Sequence, residues 1–151
     1  MRKSIIATLC ICLVFGSVAY AATEGGTPEE AMALVDKAVA LAEESGIDKA
    51  VWAFNDPAGE FVMKDLYIFV VDMKGTVLAH GANASLIGKN LMNLQDTDGK
   101  FIIKDMIEMA KTQSEGWIDY KWENPMTKSI GDKSTYFSRV KDIIVCCGVY
   151  K

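Results

Sequence analysis

Three strand-forming stretches follow one another at the end of this 151-residue chain with no helix-period segment between them. That run constrains the fold more than any other feature. In the first stretch, Gly116-Trp117-Ile118-Asp119-Tyr120-Lys121-Trp122-Glu123, aromatic and charged residues alternate. A strand there carries Trp117, Asp119 and Lys121 on one face and Ile118, Tyr120 and Trp122 on the other. Asn124 to Gly131 supplies a turn, Thr135 to Val140 a second strand, and Ile143 to Tyr150 a third, strongly apolar one. Turns this short join antiparallel neighbours, so the last third of the chain is an antiparallel sheet, one face of which can line a small pocket.

The preceding residues supply the layers around it. Thr27-Pro28-Glu29-Glu30 combines a capping residue, a proline at the first helical position and a glutamate three residues after the cap, the arrangement that starts a helix. Ala31, Leu34, Val35, Ala38, Leu41 and Ala42 continue it at helical spacing until Ser45-Gly46, and a second short helix runs from Asp48 to Phe54. Asp65 to Asp72 is dense in β-formers, Met73-Lys74-Gly75 turns the chain, and Thr76 to His80 returns as the partner of a hairpin. Gly81 to Gln95 has weak periodicity and several Asn and Gly residues, which suits a long loop crossing one face of the sheet. Asp98 is placed to cap a helix whose apolar stripe is Ile102, Ile103, Met106, Ile107, Met109 and Ala110. The expected fold is α+β, with a long N-terminal helix packed on a central antiparallel sheet of about five strands.

The beginning of the chain says where it works. Arg2 and Lys3 precede a mostly apolar run from Ser4 to Val18, and Ala19-Tyr20-Ala21 has the small-x-small pattern of a signal-peptidase site. Residues 1–21 read as a signal peptide cleaved after Ala21; the alternative is an uncleaved anchor, for which the run falls short of the roughly 20 apolar residues of a spanning helix. A flexible leader over 22–26 and a single domain over 27–151 follow, in a periplasmic or secreted protein. The full chain carries a net charge of −4, and losing Arg2 and Lys3 makes the mature form more acidic. With no basic cluster and Arg139 its one remaining arginine, nucleic acid is excluded as a partner. Cys146 and Cys147 are adjacent, and neighbouring Cα atoms about 3.8 Å apart cannot form an unstrained disulfide. In Ile143-Ile144-Val145-Cys146-Cys147-Gly148-Val149 they read as small apolar residues of a buried strand.

From about Asn55 onward the chain resembles the Cache domains, specifically the single-Cache extracytoplasmic sensor modules of bacteria. The resemblance rests on Asp65-Leu66-Tyr67-Ile68-Phe69-Val70, Asp72-x-x-Gly75-Thr76-Val77-Leu78-Ala79-His80, Ile87-Gly88-Lys89-Asn90, Gly116 to Trp122, Lys133-Ser134-Thr135-Tyr136 and Gly148-Val149-Tyr150. It implies a PAS-like fold whose sheet holds a small ligand, commonly an organic acid or amino acid, in the outer part of a chemoreceptor or histidine kinase. The arginine-dependent amino-acid signature of related double domains is absent here, which points to simple carboxylates. The chain ends directly after its last strand, so signalling is expected to pass through a separate membrane chemoreceptor, histidine kinase or transporter.

A carboxylate in a partly dry pocket needs charge-assisted donors, which lysine, tyrosine and tryptophan supply. By position in the family motif the candidates are Trp117, Tyr120, Trp122, Lys133 and Tyr136, with His80, Lys89 and Arg139 secondary. Against this, the aromatics can equally be core and Lys133 a solvated loop residue. Asp96-Thr97-Asp98-Gly99 fails the calcium-loop pattern, because Leu94 falls on the first ligand position. One histidine and no spaced His/Cys cluster leave no zinc site, no cofactor and no catalytic motif to expect. Two functions remain: an exported small-molecule sensor domain, or an exported interaction domain whose pocket is closed by its own side chains.

Overall fold

The computed structural model describes residues 24–151, so the expected signal peptide lies outside the described residues. Helix α1 (Pro28–Ser45) begins as its sequence requires. The Thr27 hydroxyl accepts from the Glu30 N–H at 3.2 Å, and the Glu30 carboxylate accepts from the Thr27 N–H at 2.9 Å. Gly46, with φ of 82°, is the one-residue joint to α2 (Ile47–Phe54). Six strands follow: β1 (Val62–Met63), β2 (Leu66–Asp72), β3 (Val77–His80), β4 (Glu115–Glu123), β5 (Ile130–Val140) and β6 (Ile143–Tyr150), with α3 (Ile102–Thr112) between β3 and β4.

The strands lie in the order β1-β2-β6-β5-β4, all neighbours antiparallel, with β3 also on β2. Both β1 and β3 use one edge of β2: the Ile68 N–H donates to Phe61 O and Ile68 O accepts from the Gly81 N–H. The final strand therefore occupies the middle of the sheet. Alternation sends each strand's residues to two cores. Leu66, Ile68, Val70, Val145, Cys147, Val149 and Tyr136 pack under α1 and α2, while Tyr67, Phe69, Val71, Ile144, Cys146, Phe137, Ile118 and Tyr120 pack under α3.

Several sequence expectations are refined. The sheet has six strands because Val62–Met63 adds a two-residue rung too short to leave a periodic signal. Strand β5 begins at Ile130 rather than Thr135, which puts Lys133 inside the sheet and not in a loop. Asp98 does not cap α3: the helix starts after Phe101 without a side-chain cap, and it is the Asp96 carboxylate that accepts from the N–H groups of Asp98, Lys100 and Lys121. Gly26, expected in a flexible leader, is held by the Asp65 carboxylate at 2.6 Å. The long loop does cross the face. It is laced to the β2–β3 hairpin by the N–H groups of Val77, Gly88 and Leu91, which bond to Lys89 O, Val77 O and Gly75 O.

Candidate functional site

The site lies on the α3 side of the sheet, where β2 and β3, β4, the crossing loop and the start of α3 converge. Tyr67, Phe69 and Val71 of β2, Val77 and His80 of β3, Tyr120 and Trp122 of β4, Leu86, Leu91 and Leu94 of the loop, and Ile102 and Ile103 of α3 enclose a cavity of about 20 Å³. That is room for about one water. Tyr67, His80, Leu86 and Trp122 also line an outer cleft of about 420 Å³, rimmed by Asn83, Glu123, Pro125, Lys128 and Ile130. The four shared side chains form the wall between the two spaces.

Behind this wall sits Lys133, 1% exposed. The register pairs it with Tyr120 on one side and Tyr150 on the other, and its stem runs over Gly148, where an added Cβ would collide with Lys133 Cε and Thr135 Oγ1. Glycine at 148 thus makes the space the lysine occupies. The ammonium donates to the Tyr67 hydroxyl at 2.6 Å and lies 4.1 Å from the Tyr67 ring centroid, 5.0 Å from that of Tyr150 and 5.7 Å from that of Phe69. None of the ion pairs among the described residues includes it. Burial without a counter-charge drives its pKa down from 10.5 to about 7, with the neighbouring Cys147, Cys146 and Asp65 pulling weakly the other way.

His80 is buried against Tyr67, tilted at a ring-centroid distance of 4.9 Å, and stacked on Phe69 at 5.8 Å. Its Nδ1 accepts from the N–H groups of Asn83 at 2.9 Å and Ala82 at 3.3 Å. Burial, then the nearby Lys133 charge, lowers its pKa to about 3, so the ring is neutral and carries its proton on Nε2. The site thus holds a neutral N–H donor of fixed tautomer beside the Tyr67 ring. Tyr120 is tied to Thr135 at 2.8 Å, and burial pushes its hydroxyl pKa, like that of Tyr67, well up, so both phenols stay protonated.

Of the five residues singled out from the sequence, Tyr120, Trp122 and Lys133 come together here. Trp117 and Tyr136 do not. They face each other across β4 and β5 on the opposite side of the sheet, with ring centroids 5.3 Å apart, and the Tyr136 hydroxyl donates to Glu115 at 2.8 Å. Among the secondary candidates, His80 lines the cavity, Lys89 is exposed, and Arg139 caps the end of α3 by donating to Ala110 O at 3.0 Å. Tyr67 was not foreseen. Its hydroxyl is the one polar side-chain group between Leu66 and Val71 of β2, which is the signal its sequence offered.

The family model of the single Cache domain 2 matches residues 17–151. The chain belongs to the single Cache domain 2 family. Over 73 residues this Cache domain is 37% identical to the sensor histidine kinase MctS of Rhizobium johnstonii, a match spanning 48% of the chain and 16% of the kinase. Over 88 residues it is 28% identical to the methyl-accepting chemotaxis protein McpP of Pseudomonas putida, spanning 57% of the chain and 16% of the receptor. The chain therefore corresponds to a small part of each of these proteins. Among solved structures, a methyl-accepting chemotaxis protein of Vibrio parahaemolyticus superposes with a TM-score of 0.70 at 24% identity, over 81% of this chain and 86% of that one. A Cache chemosensory domain whose structure was described as the basis for carboxylic acid recognition superposes at 0.69 with 21% identity, over 81% and 91%. These neighbours share the PAS-like Cache fold. Cache domains are extracytoplasmic sensor domains, and no described helix of this one is long and apolar enough to cross a membrane.

Proposed function

We propose that this Cache domain is an exported, non-catalytic sensor module that binds a small monocarboxylate between Tyr67, His80, Tyr120, Trp122 and Lys133 and passes its state to a separate membrane receptor or transporter. The observation that carries this reading is the buried, unpaired ammonium of Lys133, one hydrogen bond behind an apolar cavity wall. An isolated buried cation is costly, and a carboxylate is the group that offsets it. Tyr67 O–H and His80 Nε2–H add neutral donors, and the leucine and isoleucine walls leave no place for a second charge. The carboxylic acid recognition described for a structural neighbour supports the same ligand class. Because the enclosed space is about 20 Å³, an acid of the acetate, propionate, pyruvate or lactate type enters only as the loop wall carrying Leu86, Leu91 and Leu94 shifts outward.

That small volume also favours a second reading, an interaction domain with a filled pocket. Thermal-shift measurements with the four acids separate the two. A ligand at about 100 times its dissociation constant adds about 2.7 kcal/mol, a rise of several degrees in Tm for a domain of this size, and Lys133→Ala removes most of it. No shift with any of the acids, and none lost in the variant, refutes the sensor reading.

A further inference from the structure

A line of hydrogen bonds leads from the buried ammonium to the segment that enters α1. Lys133 Nζ donates to the Tyr67 hydroxyl, and the Tyr67 and Tyr150 hydroxyls are 3.5 Å apart. Tyr150 donates its own proton to Glu123 O at 2.7 Å, so its oxygen is left to accept from Tyr67. The next residue, Asn124, donates to the Asp65 carboxylate at 3.4 Å, and Asp65, 4% exposed, accepts from the Gly26 N–H at 2.6 Å. Gly26 lies so close to the strand that an added Cβ would collide with the Leu66 side chain, and one on Gly25 would come within 2.9 Å of the Asp65 carboxylate. Asp65 also stands two residues before Tyr67 on the same backbone. Buried Asp65 thus joins the start of α1, the β4–β5 turn and the cavity wall.

We propose that Asp65 is a latch that reports the state of the cavity to the segment entering α1, with the Tyr67–Tyr150 hydrogen bond as its switchable link. At 3.5 Å that bond is the longest of the line, with the Asn124–Asp65 contact next at 3.4 Å, and both are weak. An oxyanion in the cavity competes for the one Tyr67 hydroxyl proton. Once Tyr67 donates to the anion, Tyr150 loses its donor, its hold on Glu123 relaxes, and the Asn124–Asp65–Gly26 contacts loosen with it. The ligand half of this scheme rests on the sensor reading above; the latch itself does not.

Amide hydrogen exchange of Gly26, followed by NMR in the ligand-free protein, tests the latch directly. Asp65→Asn, which keeps the shape and removes the charge, sets the released rate. Tyr150→Phe retains the ring beside Lys133 and breaks the line at its middle. The expected result is Gly26 exchange about fivefold faster than wild type, the change that one hydrogen bond of ordinary net strength gives, with unfolding transitions recorded on the same samples to confirm a folded domain. An unchanged Gly26 rate in folded Tyr150→Phe overturns the proposal. Sodium propionate is then added to the wild type. If it raises Tm and speeds Gly26 exchange, the coupling extends to the ligand; if it raises Tm and leaves Gly26 unaffected, the latch is refuted as a reporter. Absence of any Tm shift counts against the sensor reading and leaves the Tyr150→Phe result to decide the latch.

Discussion

Stability should rise with pH across a window set by Lys133. Its folded pKa of about 7 lies below its ordinary 10.5. Below pH 7 both folded and unfolded states hold the proton, and the full cost of burying the charge is present. Between 7 and 10.5 the unfolded chain holds more protons than the folded one, so unfolding becomes harder as pH rises, by up to about 1.4 kcal/mol per pH unit. From pH 7 to 8.5 the gain is about 1.5 kcal/mol, since the group is half titrated at the start. The upper limit comes from the cysteines: burial pushes Cys147 to about 12 and Cys146 upward, so above about pH 9, where unfolded thiols ionise, stability is lost again. His80, lowered to about 3, and the lowered carboxyls of Glu30, Asp96 and Asp119 act only at more acid pH. Urea unfolding of wild type and Lys133→Met at pH 7, 7.75 and 8.5 reads the effect, because Lys133→Met keeps the stem and removes the charge. The wild type should gain and the variant should stay flat. A flat wild type, or the same gain in both, would refute the assignment of a buried unpaired ammonium.

A carboxylate that pairs with Lys133 must bring its proton back, so calorimetry of propionate binding at pH 8 in buffers of different ionisation enthalpy should show uptake of about one proton per ligand, and none in Lys133→Met. Gly148→Ala should cost about 1–3 kcal/mol in urea unfolding, because the added methyl takes the space of the lysine stem. Cys146 and Cys147, both fully buried, should react with a thiol reagent only as fast as the domain unfolds; immediate labelling of the native protein would contradict their packing.

The parts of the fold legible in the sequence were those with strong local signals. Thr27-Pro28-Glu29-Glu30 fixed the start of α1, and Lys74-Gly75 between two β-rich runs fixed the β2–β3 hairpin. Asp98 was misleading because a capping residue is only a cap if the helix begins there; Asp96 closed the turn first and delayed α3 by a few residues. At the site, period-two alternation separated Trp117 from Tyr120 correctly, but which residue of β5 joins each face depends on register across a six-residue gap. The observed register pairs Tyr120 with Lys133 and Trp117 with Tyr136, which splits the five candidates between two faces. Tyr67 was hidden for a different reason. Its strand is buried on both faces, so apolar residues run continuously and no alternation marks the side that meets the cavity.

The central place of β6 has a consequence for how the domain is assembled. Strands β1 to β3 form one antiparallel unit and β4 with β5 another, and among the described residues only 143–150 join them in the sheet. Strand β6 is therefore the keystone. Until it inserts, β2 and β5 each present an open edge of unpaired N–H and C=O groups, the kind of edge that recruits strands from other chains. The two halves wait on a long-range pairing that local structure cannot hasten, which places the domain among the slower folders of its size and makes its incomplete forms the ones that need chaperoning.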